Sequence, residues 1–515
     1  MAGAHPPHLH RPAARRVNAA TTGGDLDLRV AVIGGGLAGL AAATVLAERG
    51  AEVVLLEREP VLGGRLAAWP TKLATGETVR MERGFHAFFR HYANVRALLR
   101  RVDPELRRLV PLEDYPLLGP DGARESFSGL PTTTPWNVAE IVRRSPHFRL
   151  KDLARVDVGQ ALAMLTFDRE ATYARFDRAT AKDYLDSLRF PEEARRMLFD
   201  VFAHSFFNPE EEMSAAELLM MFHFYFTGNP EGLVFDVLDD SFSTSFLDPL
   251  AAYLGGLGAE VRTGTAAARV TREGGELHVH LAREGRPLVV DALVLALPVP
   301  ALKALHAASP ALADPAFDLR VGRLDVTRPF AVWRLWLDRP LDPGREPFVG
   351  TTGLGRLDNV SLYHLFEAES RAWAARHGGS VVELHAYGVV GEPSDDALRA
   401  ELLAGLHAIY PEARGAGVLD ERWLVRRDCP AFAPGSDALR PTVATPWPDV
   451  ALAGDLVRLP FPSALMERAV ASGFLAANQL LALRGRAGEA VPTVPTRGLL
   501  APARYWPPTR WVRSA

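Results

Sequence analysis

The stretch "LRVAVIGGGLAGLAAATVLAERGAEVVLLERE", Leu28 to Glu59, constrains the fold more tightly than any other part of this 515-residue chain. An apolar run, a glycine-rich turn, a helix of small residues and a second apolar run ending in an acid predict strand, turn, helix and strand. In that arrangement Gly34 makes the tight turn, Gly36 lets the backbone approach a pyrophosphate, and Gly39 lets helix and strand pack closely. Leu37 and Ala38 open the helix, whose free N–H groups face the phosphates. Glu57 closes the second strand at the spacing of about 20 residues expected of a carboxylate that binds ribose hydroxyls, with Arg58 next to it.

The segment that follows decides between dinucleotides. In "REPVLGGRLAAW" a second flexible turn, Gly63 and Gly64, precedes Arg65, a cation that serves a diphosphate while its stem continues toward a ring system. That reading favours FAD over NAD. Near the other end, "PDVALAGDLVRLPFPSALMERAVASGFLAANQLL" reads as a short strand, then Gly454 and Asp455, a Pro-containing loop, and a helix from about Ser463 that carries Leu465, Met466 and Ala469. Gly–Asp after a strand suits ribityl or phosphate oxygens, and the helix N-terminus favours negative charge on a reduced flavin. A middle segment alternates like a sheet ribbon, with Ala267 near its start, and returns to a buried strand at residues 292–297. The fold class is therefore α/β: a Rossmann-like FAD-binding domain assembled from separated pieces, with an interleaved α+β substrate domain.

The expected organisation is an N-terminal arm over 1–27, FAD-binding parts over 28–110, 240–300 and 445–490, a helical substrate- or membrane-facing region over 111–239, a substrate-domain sheet over 301–444, and a tail over 491–515. Within the sheet, "VTRPFAVWRLWLDRP", "DNVSLYHLFEA" and "GGSVVELHAYGVV" read as strands. Fifty-eight Lys and Arg against 62 Asp and Glu leave a net charge of only −4, so nucleic acid is not an expected partner. The single cysteine, Cys429, excludes an internal disulfide and multi-thiolate metal sites. No histidine spacing calls for a metal either. No run of about 18 apolar residues predicts a membrane span, and no signal peptide is read, so a cytoplasmic protein is expected.

The blocks "VIGGGLAGLAAA", "LLERE", "LGGR", "DALVLALP" and "LAGDLVRLPFPSALMERAVASG" resemble the FAD-dependent amine-oxidoreductase superfamily, in its carotenoid desaturase branch. Within that branch "RGFHAFFRHYANVRALLRRVDP", "PTTTPWN", "SFFNPEEEMSAAELLMMFHFYFTGNPEGLVFDV", "FAVWRLWLDRP", "GGSVVELHAY" and "VPTRG" resemble the isorenieratene synthases, the β-carotene desaturase/methyltransferases. The resemblance runs from about Leu28 to Gly498. It implies non-covalent FAD and an aromatising oxidation of a carotenoid β-ring. Four hydrogens leave per ring and one geminal methyl migrates to the neighbouring carbon, with no external methyl donor. Oxygen or a quinone would reoxidise the flavin.

By the same resemblance, the segment of Gly84, Phe85 and His86 passes near the flavin. Electron-rich rings stabilise a migrating carbocation. Phe88, Phe89, Tyr92, Phe222, Phe224 and Tyr225 are the expected substrate-channel rings. Proton loss needs a base, and the acids of "NPEGLVFDVLDD" beside an apolar run, Glu231, Asp236 and then Asp239, are the candidates, with His86 a further catalytic candidate. An apolar carotenoid substrate implies peripheral membrane contact, through residues 194–226 or the Trp- and Arg-bearing tail. Three other readings compete: a desaturase or isomerase acting on the linear polyene, an amine oxidase, and a non-catalytic flavin-binding carotenoid carrier.

Overall fold

In a computed structural model, the described residues are 26–131, 136–144, 156–190, 195, 207–229, 231–232 and 234–498. The arm to residue 25, the tail from 499 and most of 194–206 lie outside the described residues, and with them most of the segments expected to meet a membrane.

Leu28 to Glu59 folds as strand β1 (Arg29–Ile33), helix α1 (Leu37–Glu48) and strand β2 (Glu52–Leu56). β1 is the centre of a five-stranded sheet in the order Glu260–Arg262, β2, β1, Ala292–Leu295 and Val450–Leu452, parallel throughout. Parallel strands covered on both faces need unbroken apolar runs, and "VAVI", "VVLL" and "ALVL" supply them. Gly34 has φ +112°, and a Cβ on Gly39 would fall 1.9 Å from the Gly34 carbonyl oxygen, so helix and turn approach more closely than any side chain allows. The small residues of α1 serve a second contact, with the final helix Leu465–Ala482: a Cβ on Gly473 would lie 2.3 Å from the Ala38 carbonyl oxygen.

The other face of the sheet is covered by the ribbon Ala267–Glu273, Glu276–Leu281 and Leu288–Val290 and by the helices Val299–Ala307 and Pro315–Arg323. Residues 301–323 thus pack with the parallel sheet through Leu302, Leu305, Phe317 and Val321, not with the substrate-domain sheet expected over 301–444.

A second sheet of seven strands runs in the order Val418–Arg426, Phe330–Leu337, Ser380–Ala386, Asn359–Leu362, Phe348–Thr351, Leu117–Leu118 and Arg124–Glu125. Its last two strands come from the region expected to be helical. Alternation gives this sheet two different faces. Leu335, Leu337, Val382, Leu384, Val360 and Leu362 lie on the face covered by the helix Asp395–Ile409. Arg334, Glu383, His385, Asn359 and Ser361 take the opposite alternation, with Arg334 directly across from Glu383 and Asn359 across from His385.

The helix Ala215–Phe222, capped by the Ser214 hydroxyl and continued by a π-helical turn over His223–Thr227, buries Glu217. Glu217 accepts from Arg468, Arg440 and the Tyr173 hydroxyl. Both arginines also reach the loop after Val450–Leu452, Arg468 donating to the Asp455 carbonyl and Arg440 to those of Leu456 and Val457. Burial alone would raise the Glu217 carboxyl, but Arg468 and Arg440 outweigh it and hold the value at about 2. The folded value lies below the ordinary glutamate value of 4.5, so this contribution is complete above about pH 4.5 and is lost as pH falls toward 2. Glu217→Ala strands two buried guanidinium groups and is expected to cost about 3–5 kcal/mol. Urea unfolding at pH 7 checks this, and unchanged stability would show that the cluster does not hold the loop.

Candidate active site

Where the parallel sheet meets the second sheet, the structure encloses a cavity of ≈ 1280 Å³. Ligand pockets usually measure about 300–1,000 Å³, so there is room for more than one molecule. One end is built from the glycine turns. The Gly63 N–H donates to the Gly35 carbonyl at 2.8 Å, and Gly36 and Gly63 form a parallel bridge, so the second turn docks on the first. The nearest atoms to a Cβ on Gly36 are 3.9 Å away, which leaves open cavity before the N-terminus of α1.

Glu57 lines the same end. Its Oε2 accepts from the Gly35 N–H at 2.7 Å and its Oε1 from the Glu59 N–H at 2.8 Å, which fixes the carboxylate and leaves lone pairs for hydroxyl donors. Arg65 is paired with Asp455. Burial lowers the Arg65 guanidinium, but the charge and hydrogen bond of Asp455 together with Cys429 and Asp428 outweigh it and the net direction is upward, so Arg65 remains a fixed cation. Leu465, the first residue of the final helix, has φ +48°, a left-handed strain held against the cavity.

Gly34, Gly36, Leu37, Ala38, Glu57, Arg58, Gly64, Arg65, Phe85, Ala267, Gly454, Asp455, Leu465, Met466 and Ala469 all line this one cavity. Gly39 and Gly84 stand behind the wall: Gly39 holds α1 to the turn, and a Cβ on Gly84 would come within 2.8 Å of the His385 ring.

Aromatic rings wall the other end. Phe85 stacks on Phe348 at 4.4 Å and meets Phe235 edge-on at 5.9 Å, Phe89 meets Tyr225 at 4.9 Å, and Tyr115 lies 4.6 Å from Phe235. Phe89, Tyr92 and Tyr225 line the cavity as expected of channel rings. Phe88, Phe222 and Phe224 do not: Phe88 packs on Phe242, Phe222 stacks on Phe226, and Phe224 backs His91, so these rings form a second layer.

The proposed bases are not brought to the cavity. Glu231 is exposed on a turn capped by Asn229. Asp236 lies within the strand Phe235–Leu238 and is paired with Arg96 and Arg90, and Asp239 is paired with Arg108 and accepts from Ser245. "FDVL" is thus strand, and alternation points Phe235, not Asp236, toward the cavity. His86 does line the cavity. Burial, reinforced by nearby His385, Arg65 and Arg83 against the Gly84 carbonyl, pushes it down to about 4. Its Nδ1–H donates to that carbonyl at 2.8 Å, so at neutral pH it presents an uncharged Nε2.

Sequence reasoning passed over His385 and Tyr387, which also line the cavity, and Glu383 behind them. The signal was three polar residues at alternate positions in "ELHAY", which lie on one strand face.

A family model for flavin containing amine oxidoreductases matches residues 37–481. The chain belongs to that family. This flavoenzyme is 50% identical to the carotenoid phi-ring synthase of Streptomyces griseus, over 92% of each chain. It is 28% identical to the carotenoid phi-ring synthase of Chlorobaculum tepidum, over 92% of this chain and 91% of that one. The solved cyclohexylamine oxidase of Brevibacterium oxydans shares the fold, with a TM-score of 0.65 at 16% identity over 90% of this chain and all of that one.

The protein is an FAD-dependent oxidoreductase, and the residues present fit the cofactor: an open glycine cradle at a helix N-terminus, a fixed carboxylate at ribose distance in sequence, and a paired cation between them and the Gly454 loop. Gly36 and Gly39 separate binding from folding. Gly36→Val fills open cavity and is expected to leave a folded protein without flavin absorbance. Gly39→Val collides with backbone and is expected to lower thermal stability as well. Flavin content and circular dichroism of the two variants check this; a Gly36→Val protein with full FAD would contradict the cradle.

Proposed function

We propose that this flavoenzyme aromatises the β-ring of a carotenoid, converting β-carotene to isorenieratene by dehydrogenation with a 1,2-shift of a geminal methyl. The observation that carries the reading is the aromatic end of the cavity, opening directly from the glycine cradle, in a chain half identical to a phi-ring synthase. An apolar polyene gains by transfer out of water into such a gallery. A ring that becomes cationic there meets the faces of Phe85, Phe348, Phe235 and Phe89, each desolvated ring worth about 1–2 kcal/mol to a cation.

When bound, FAD supplies the hydride acceptor. The chain's own residues do the rest: the gallery orients the end ring toward the cradle, its walls exclude water that would otherwise trap the cation, and the neutral His86 adds no competing charge beside it. Among the described residues no helix is long and apolar enough to cross a membrane. Because an apolar polyene resides in the bilayer, the reading places substrate uptake at a membrane surface.

The test is expression in cells that accumulate β-carotene, with pigment analysed by chromatography and mass spectrometry. Pigment lighter by four or eight hydrogens, with aromatic end groups, is expected. Unchanged β-carotene, in cells whose protein holds FAD, would overturn the reading, and conversion of supplied linear carotenes would then favour a polyene desaturase or isomerase.

A further inference from the structure

Aromatisation releases protons as well as hydrides, and the acids first considered are either exposed or locked in ion pairs away from the cavity. One polar chain does reach it. Tyr387 and His385 both line the cavity, and the Tyr387 hydroxyl lies 2.6 Å from His385 Nδ1. His385 Nε2 lies 2.7 Å from Glu383 Oε1, and Arg334 Nε donates to Glu383 Oε2 at 2.7 Å. Asn359 Nδ2 donates to the Tyr387 oxygen at 2.9 Å. His385 is 1% exposed and Glu383 0%, so these two groups are shut off from water, while Tyr387 is half-buried at the cavity wall.

The short contacts have one consistent direction, and the Phe85 N–H, which also faces His385 Nε2, is farther away at 3.5 Å. A carboxylate only accepts, so His385 Nε2 carries the hydrogen given to Glu383, and Nδ1 is left to accept from the phenol. The phenol oxygen, already accepting from Asn359, has its own hydrogen committed to Nδ1. Burial works against the Glu383 charge, but Arg334 and His385 outweigh it and hold the carboxyl at about 2, so the anion persists at any working pH. A hydroxyl backed by an imidazole that is oriented by a carboxylate is the arrangement by which a weakly basic oxygen takes or gives a proton.

We propose that Tyr387, His385 and Glu383 form the proton relay of this site, with Tyr387 as the group that receives the ring proton. This inference rests on the aromatising reading above. As the rearranged ring cation collapses, a ring C–H bond breaks and its electron pair becomes a ring double bond. The proton goes to the Tyr387 oxygen as the phenol hydrogen passes to His385 Nδ1. The imidazolium forms against the Glu383 carboxylate, which stays ionised, and the relay resets when the product has left and the proton returns through Tyr387 to the water that replaces it. Tyr387 is a catalytic residue in this scheme; Glu383 is a positioning residue that acts through His385.

The test uses the full-length FAD-loaded enzyme with β-carotene in detergent-dispersed form. Tyr387→Phe is expected to lower kcat for aromatic pigment by at least about 100-fold, the usual scale of a general acid–base contribution, with FAD content and KM unchanged. Glu383→Gln is expected to lower kcat with KM and the flavin absorption spectrum unchanged. His385→Ala, which opens a space beside Gly84, is expected to regain activity in imidazole buffer. Wild-type kcat in Tyr387→Phe, or a folded His385→Ala that imidazole does not rescue, overturns the relay; if His385→Ala does not fold, Tyr387→Phe decides alone. Absence of aromatic pigment from the wild-type enzyme overturns the functional reading itself, and the relay with it.

Discussion

The docking of one glycine turn on another is the contact on which this architecture depends. Because Gly35 carries no side chain, Leu62 and Glu57 can close against it and the Gly63 backbone can donate to the Gly35 carbonyl, so the chain leaving β2 is turned back across the N-terminus of α1. That single reversal places Arg65 beside Asp455 and directs the chain into the hairpin of Ala68–Lys72 and Thr78–Glu82. The hairpin in turn delivers Gly84, Phe85 and His86 to the second sheet, where His385 fills the space above Gly84. A Cβ at Gly63 would meet Leu247 at 2.6 Å and the Ala67 backbone at 2.9 Å, so there is no slack in this path.

Two buried ionic clusters then weld the pieces together. Glu217 with Arg440 and Arg468 ties the helical region to the loop after the last parallel strand. Arg334 with Glu82 and Glu383 ties the hairpin to the seven-stranded sheet, and its guanidinium also lies 3.8 Å from the Tyr363 ring. Buried pairs of this kind contribute little net stability over apolar packing, but they penalise any arrangement that separates the partners. Their role here is to fix where the two sheets face each other, and so the shape of the cavity between them.

Much of this was legible in the sequence where pattern and chemistry coincide. "VIGGGLAGLAAA" carries both a period and a phosphate-binding logic, and the residues picked from it, Gly39 apart, meet those from "LGGR" and "LAGD" at one cavity. "FAVWRLWL", "NVSL" and "SVVELHA" declared themselves as strands by β-branched and aromatic content, although their order, with Ser380–Ala386 between the other two, follows only from pairing. The acids of "FDVLDD" misled because local composition cannot show that Arg90 and Arg96, some 140 residues earlier, neutralise Asp236. The aromatic rings misled in the same way: Phe88 and Phe89 are adjacent, but a strand sends one into the packing and the other to the cavity. The polar face of "ELHAY" was readable by alternation, yet only the opposing Arg334 and Asn359 give it a direction.

In the proposed reaction one site both removes hydrogens and moves a methyl within the same ring, without an outside donor. β-Carotene carrying carbon-13 in its geminal methyl groups tests that directly when turned over by the FAD-loaded enzyme. The expected aromatic product keeps all of the label, with one labelled methyl on the original carbon and the other on its neighbour. Loss of label, entry of an unlabelled methyl, or a desaturated product with both labelled methyls still on one carbon would contradict it.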